Sequence, residues 1–217
     1  MKLSAKLVAQ TVPCNIDANT AEELISYAAR VSNPSNQANH ATSDGLLRYC
    51  IRNKHWSVFE MASAVVEVKA PRDITRQLLR HSSFAFQEFS QRYSDEIDLT
   101  DRDFRRQDDK NRQNSVDDLS DDTTRRTSAM LKTVKRVALY VYKRMRKYGV
   151  AKECARVILP EGLTMSTLYV NGTLRSWLHY LEVRDDPGVT QWEHVLLARE
   201  IRKALEPAFP TIMGLTK

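Results

Sequence analysis

Between Arg76 and Tyr93 the chain reads RQLLRHSSFAFQEFSQRY, and within these residues its apolar repeat changes from helical to strand-like spacing. Pro71 suits a first helical turn, and Ile74, Leu78 and Leu79 then form one apolar stripe, with Arg76, Gln77 and Arg80 on the opposite side. From Ser82 onward the pattern alternates. Phe84, Phe86, Glu88, Ser90 and Arg92 fall on one face of an extended segment, and Ala85, Gln87, Phe89, Gln91 and Tyr93 on the other. A carboxylate, a hydroxyl and a guanidinium therefore point the same way, with neighbours roughly 6.5 Å apart at the usual strand rise. That spacing suits a grip on separate polar groups of one nucleotide-sized ligand. The pattern alone also fits an amphipathic strand whose Glu88 and Arg92 merely pair.

The 217 residues suffice for one domain with a real core, or one domain with an embellishment, and make two independent catalytic domains unexpected. Cys14, Cys50 and Cys154 are odd in number and lack CxxC spacing, which argues against a disulfide framework or a thiolate metal site. No apolar run approaches the roughly 20 residues of a membrane span, and the start MKLSAKLVAQ lacks a signal peptide's apolar core. The expectation is a soluble protein in a reducing, cytoplasmic setting. A net charge of +6 implies attraction to anions, whether nucleic acid, membrane surface or small phosphorylated ligands. The basic residues are dispersed among acids and no zinc-finger or RNA-recognition signature occurs, so a nucleic-acid-binding module ranks second.

Along the chain, KLVAQTV reads as a strand, and Thr20 with Glu23 makes a capping box for a helix from Thr20 to about Val31. Ser43 or Asp44 caps a second helix that carries Leu46, Leu47, Cys50 and Ile51 and stops near Asn53. KHWSVFE forms a joint, with Trp56 assigned to the core, before the strand AVVEV. Residues 94–128 are highly charged with little apolar periodicity and read as a loop or surface excursion. Ala129 to Tyr148 has the clearest helical stripe, Met130, Val134, Val137, Val141, Met145 and Tyr148, which means core or subunit contact. CARVILP closes a shorter helix, and TMSTLYV is a strand leading into Asn171 and Gly172. A helix over Thr173 to Val183 turns Leu174, Trp177, Leu178 and Leu181 inward, with Arg175 and His179 one turn apart. Thr190 with Glu193 caps the last long helix, which ends before Pro207.

Only six glycines occur and none are near neighbours, which excludes a dinucleotide fingerprint and a P-loop. Phosphate must then be met by side chains or helix N-termini. Histidines 40, 55, 81, 179 and 194 show no metal-ligand spacing, and Cys14 has no base that would make it a nucleophile.

The arrangement Arg80, His81, seven residues, Ser90, extended through Glu88 to Arg92, resembles the signature of the flavin-dependent thymidylate synthases. AARVSNP, KHWSVFE, ARVILP and GTLRSWLHYLEVR resemble further segments of that family in the family's order. The resemblance implies an α+β fold with helices packed on a mixed sheet, assembled as a homotetramer with active sites at subunit interfaces. It implies methylation of dUMP to dTMP, with FAD as cofactor and 5,10-methylenetetrahydrofolate and NADPH as co-substrates. Carried over residue by residue, Ser32, His55, Ser57, Glu60, Arg80, His81, Ser82, Glu88, Thr173, Arg175 and His179 would contact the flavin. Gln77, Arg80, Glu88, Ser90, Arg92, Arg156 and Arg184 would form the dUMP site, with Arg184 stabilising charge that develops on the uracil ring. Two features depart from the family pattern. Ser82 stands where the family has an arginine, which removes a cation expected beside the flavin, and Ala85-Phe86-Gln87-Glu88 replaces Ser-x-Asn-Glu. An FAD- and nucleotide-binding homologue with impaired catalysis is the alternative within the fold.

Overall fold

The computed structural model describes residues 2–215. Its centre is a pair of nine-residue strands, β2 (Ser63–Pro71) and β6 (Met165–Thr173), paired antiparallel from Ser63 opposite Thr173 to Pro71 opposite Met165. β1 (Ser4–Gln10) adds to the free edge of β2, and β3 (Ala85–Glu88) to that of β6. The sheet order is thus β1-β2-β6-β3, and every pairing is antiparallel. This corrects the expected mixed sheet. Parallel strands are buried on both faces and read as continuous apolar runs, whereas β2 and β6 alternate, the signature of an antiparallel sheet covered on one side.

The covered face carries Ala64, Val66, Val68 and Ala70 from β2 and Leu168 and Val170 from β6, all essentially inaccessible. Against it pack α6 (Leu174–Arg184), α7 (Trp192–Leu205) and the shorter α3 (Arg72–Leu78). α1 (Ala21–Ala29), α2 (Ser43–Arg52) and a 3₁₀ segment, Trp56–Met61, complete the core through Ile25, Leu47 and Phe59. Thr20 and Glu23 form the expected capping box on α1: the threonine hydroxyl accepts from the Glu23 N–H at 3.1 Å, and the glutamate accepts from the Thr20 N–H at 3.2 Å. The other expected caps are displaced. Thr42 is the N-cap of α2 and Gln191 that of α7, both without a side-chain bond, because Thr190 donates to the Val183 carbonyl and Glu193 is drawn into the interior. Trp56 packs against the core as expected but is only partly buried, and Phe59 is the fully enclosed aromatic of this segment.

The charged segment is not a free excursion. Thr100 donates its N–H to the Leu163 carbonyl at 2.8 Å, and the Met165 N–H reaches the Asp98 carbonyl at 2.9 Å. Asp95 accepts from Arg146 at 2.7 Å and from the Tyr142 hydroxyl at 3.2 Å, contacts that hold its carboxyl below the usual range, the Arg146 bond foremost. β4 (Arg106–Gln107) and β5 (Ser115–Val116) form a small hairpin, and α4 (Asp121–Lys147) starts eight residues earlier than the apolar stripe indicated, capped by Ser120. Its stripe is not core in this chain, since Met130, Val134, Val137 and Tyr148 are 48 to 69% exposed. The buried side is Ala138 and Tyr142. Two short helices, α5 (Lys152–Ala155) and α8 (Pro210–Met213), follow α4 and α7 respectively.

The alternation after Ser82 holds only as far as Ser90. Arg92 lies exposed in a turn and Gln91 is buried instead, because β3 stops at Glu88 and the chain leaves the sheet. Phe84 closes over Gly172, and a Cβ at that glycine would come within 2.4 Å of two Phe84 ring carbons. Gly172→Ala therefore has to expel Phe84 from its contact with Trp177, whose ring centroid is 4.4 Å away. The expected loss in urea unfolding is about 1 to 3 kcal/mol, the usual cost of overpacking. Unchanged stability would mean that the ring has somewhere else to go.

Candidate active site

One cleft, of about 510 Å³, lies between the 3₁₀ segment and α6 and is lined by Trp56, Glu60, Ser83, Arg175, Ser176, His179 and Glu182. Its size falls within the range of roughly 300 to 1,000 Å³ found for small-molecule sites. Helical spacing places Arg175, His179 and Glu182 on one side of α6, whose N-cap Thr173 accepts from the Ser176 N–H. Ser176 in turn donates to the Ser83 carbonyl, tying the start of α6 to the segment before β3. Arg175 pairs with Glu60. A second cleft, of about 420 Å³, is lined by Arg72, Arg76, Gln91, Arg156, Val157, Leu159, Glu161 and Thr164, and Arg76 pairs with Glu161 in its wall.

The residues singled out from sequence separate accordingly. Glu60, Arg175 and His179 meet in the first cleft and Arg156 lies in the second. His55 and Ser57 are exposed on either side of Trp56, Ser32 is exposed beyond α1, and Ser82 is exposed next to Ser83. Arg80 is exposed just past α3. On β3, Glu88 accepts from the Ser166 hydroxyl at 2.7 Å. The Ser90 hydroxyl accepts from the Arg92 N–H at 3.3 Å, and Arg92 pairs with Glu153 at 3.4 Å on the surface. Gln77 is turned inward, its amide shared between His194 and Gln191.

Arg184, at the end of α6, donates its Nε–H to His81 Nε2 at 3.0 Å. Its Nη groups bond to no protein group among the described residues, so they remain available to a planar acceptor such as a carbonyl edge. The bond requires a bare Nε2, and the environment keeps it bare: burial first, then Arg184, His179 and Arg80, push the His81 pKa down to about 4. His194, fully buried on α7, is pushed down to about 3 by burial and then by Arg184 and His81. Two neutral imidazoles thus lie near one guanidinium, His81 in direct contact with it. The Tyr180 ring packs against both, edge-on to His81 at a centroid distance of 5.2 Å and tilted against His194 at 5.7 Å.

Residues 15–211 match the family model described as thymidylate synthase complementing protein. A relative from Paramecium bursaria Chlorella virus 1, described as a "probable flavin-dependent thymidylate synthase", is 47% identical over 97% of both chains. The chain belongs to the flavin-dependent thymidylate synthase family. The flavin-dependent thymidylate synthase of Synechocystis sp. is 44% identical over 88% of this chain and 87% of its own. Among solved structures, a UMP/dUMP methylase, PolB, from Streptomyces cacaoi, bound with 5-bromo-dUMP, superposes with a TM-score of 0.80 at 27% identity, covering 98% of this chain and 94% of that one.

Within the family frame, several residues of the site were not evident from sequence. Trp56 sits inside KHWSVFE, but as a large aromatic just before Val58 and Phe59 it reads as core. Glu182 completes the Arg175 and His179 spacing by one further turn, which is the signal that could have found it. Tyr180, Gln191 and His194 carry no local motif, the capping-box spacing of Glu193 points to a different role, and the four meet only in the folded chain.

The depressed histidines set a pH dependence. An unfolded chain protonates its histidines from about pH 6.5 downward, whereas folded His81 and His194 stay neutral until about 4 and about 3. The unfolded state then binds more protons, and stability falls as pH drops through that window. Melting temperature should decline between about pH 7 and about pH 5, and His194→Gln should flatten the decline. Equal slopes in the two proteins would mean that His194 titrates normally in the fold.

Proposed function

We propose that the chain acts as one domain that makes dTMP from dUMP, taking the carbon from 5,10-methylenetetrahydrofolate and using FAD with NADPH as reductant. What carries this reading is the full-length relationship at 47% identity over 97% of both chains. Bound flavin would supply the hydride that completes the methyl group. The first cleft fits such a group in its chemistry: Arg175 and His179 suit a pyrophosphate, Trp56 suits an aromatic ring system, and Ser83 and Ser176 offer hydroxyls. In the proposal Ser32, His55, Ser57, Glu60, Arg80, His81, Ser82, Glu88, Thr173, Arg175 and His179 serve the cofactor. Arg80, Glu88, Ser90, Arg92, Arg156 and Arg184 serve dUMP, with the arginines meeting its phosphate and carbonyl groups, while Gln77, expected there from the resemblance, has its amide taken up by His194 and Gln191 and supports the site from behind.

Arg184 is the residue proposed to act on the reacting ring. Transfer to C5 of uracil moves negative charge onto the ring carbonyls, and a guanidinium held by its Nε toward neutral His81 keeps its Nη donors for that charge. Arg184→Ala should lower turnover about 100-fold or more while dUMP binding changes little. Turnover within a few-fold alongside lost dUMP affinity would make Arg184 a binding clamp. The reaction itself is tested by dTMP formation before and after flavin is stripped, and unchanged output without flavin would overturn it.

The proposed assembly is a homotetramer with sites completed across subunits. In support, the candidate residues fall into separate clefts within one chain, and the α4 stripe of Met130, Val134 and Val137 is exposed apolar surface of the kind a partner covers. Light scattering should give about four times the 24.9 kDa chain mass, and Val137→Asp should lower it. A fully active monomer would refute the shared sites.

A further inference from the structure

Behind the His81 and Arg184 pair runs a chain of buried polar contacts. The Tyr180 hydroxyl lies 3.1 Å from His194 Nε2, His194 Nδ1 lies 3.1 Å from Gln77 Oε1, and Gln77 Nε2 lies 2.7 Å from Gln191 Oε1. Gln191 Nε2 then reaches Glu193 Oε2 at 2.9 Å. Glu193 is 4% exposed, and its other oxygen takes Arg105 at 2.6 Å, with Arg102 at 3.8 Å from the first. Arg102 also donates to Asp73 at 3.0 Å. Burial alone would raise the Glu193 carboxyl, but the Arg105 bond and the Gln191 amide outweigh it, leaving the group ionised.

An ionised carboxylate only accepts, and that fixes every proton upstream. Gln191 must present its N–H₂ to Glu193, so its carbonyl faces Gln77. Gln77 must present its own N–H₂ there, so its carbonyl faces His194. The His194 nitrogen facing that carbonyl must be Nδ1–H, which leaves Nε2 bare, so the Tyr180 hydroxyl donates to it. Each bond runs one way, from Tyr180 to Glu193, and a chain of aligned bonds polarises its members cooperatively. Tyr180 lies four residues before Arg184 on α6, and its ring edge packs on the His81 imidazole that receives the Arg184 Nε–H.

We propose that Tyr180, His194, Gln77, Gln191 and Glu193 form a one-way hydrogen-bond relay, anchored on Arg105 and Arg102 of the charged segment, that positions the His81 and Arg184 pair for the reaction. His194 is its central positioning residue. It touches no substrate; it fixes the orientation of Tyr180 and of Gln77, and through the Tyr180 ring the plane of His81. The charged segment acquires a role on this account, since it supplies the cations without which Glu193 could not be ionised inside the protein. The proposal rests on the thymidylate synthase reading, and its first test does not depend on activity.

In ¹⁵N-labelled resting protein, the His194 ring should be the neutral Nδ1–H tautomer across the neutral pH range, and an Nε2–H tautomer or a cationic ring would overturn the relay. The second test is kinetic. His194→Leu removes both bonds and should lower kcat about ten-fold or more with KM for dUMP within about three-fold, as expected for a misplaced catalytic group. His194→Gln can donate to Gln77 and accept from Tyr180 at once, so it should recover kcat to within about three-fold of wild type. Glu193→Gln, nearly isosteric, lets the whole chain reverse and should also lower kcat several-fold while the protein stays folded. Wild-type kcat in His194→Leu, equal losses in His194→Leu and His194→Gln, or full activity in Glu193→Gln would each reduce the relay to packing. Inactive wild type with the Nδ1–H tautomer in place would instead sink the functional reading and leave the relay standing.

Discussion

A carboxylate removed from water must be met by cations or give up its charge, and Glu193 is such a carboxylate. It sits at the first turn of α7, where sequence alone assigns it a surface capping role. Drawing it inward requires Arg105 and Arg102 to follow, and they bring the highly charged segment down onto the body of the protein. Asp73, at the start of α3, and the Gly162 carbonyl, just before β6, then share Arg102. One buried charge therefore links α3, α7, the approach to β6 and a segment that composition would leave in solvent.

The electrostatics around Arg184 follow a different logic. Burial keeps both nearby imidazoles neutral, so no second cation is placed beside the guanidinium. Histidines in a basic protein would otherwise add to the repulsion. Here one acts as an acceptor for the Arg184 Nε–H.

Periodicity made most elements legible. The capping box of α1, the alternation of β2 and β6, and the inward Leu174, Trp177, Leu178 and Leu181 of α6 follow directly from local pattern, because each is set by neighbours within a few residues. Local pattern failed where a distant partner decides. Thr190 and Glu193 have capping-box spacing, yet Arg105, 88 residues away, claims the glutamate. The α4 stripe was legible as apolar, but which surface covers it is written on no single chain. The site was legible as motifs and not as geometry: Glu60, Arg175 and His179 meet, whereas Gln77 is turned inward by His194, whose role depends on contacts 117 and 14 residues distant along the chain.

The central β2 and β6 pairing joins residues 63–71 to residues 165–173. During synthesis β2 emerges with only β1 as a partner and must wait for the later strand. At typical elongation of about 5 to 20 residues per second, that wait is on the order of 5 to 20 seconds, long compared with hairpin formation. Throughout it, the apolar row Ala64, Val66, Val68 and Ala70 and one edge of β2 stand unpaired. The same pairing that gives the finished protein its spine makes the nascent chain dependent on whatever shields that edge until the last third of the polypeptide arrives.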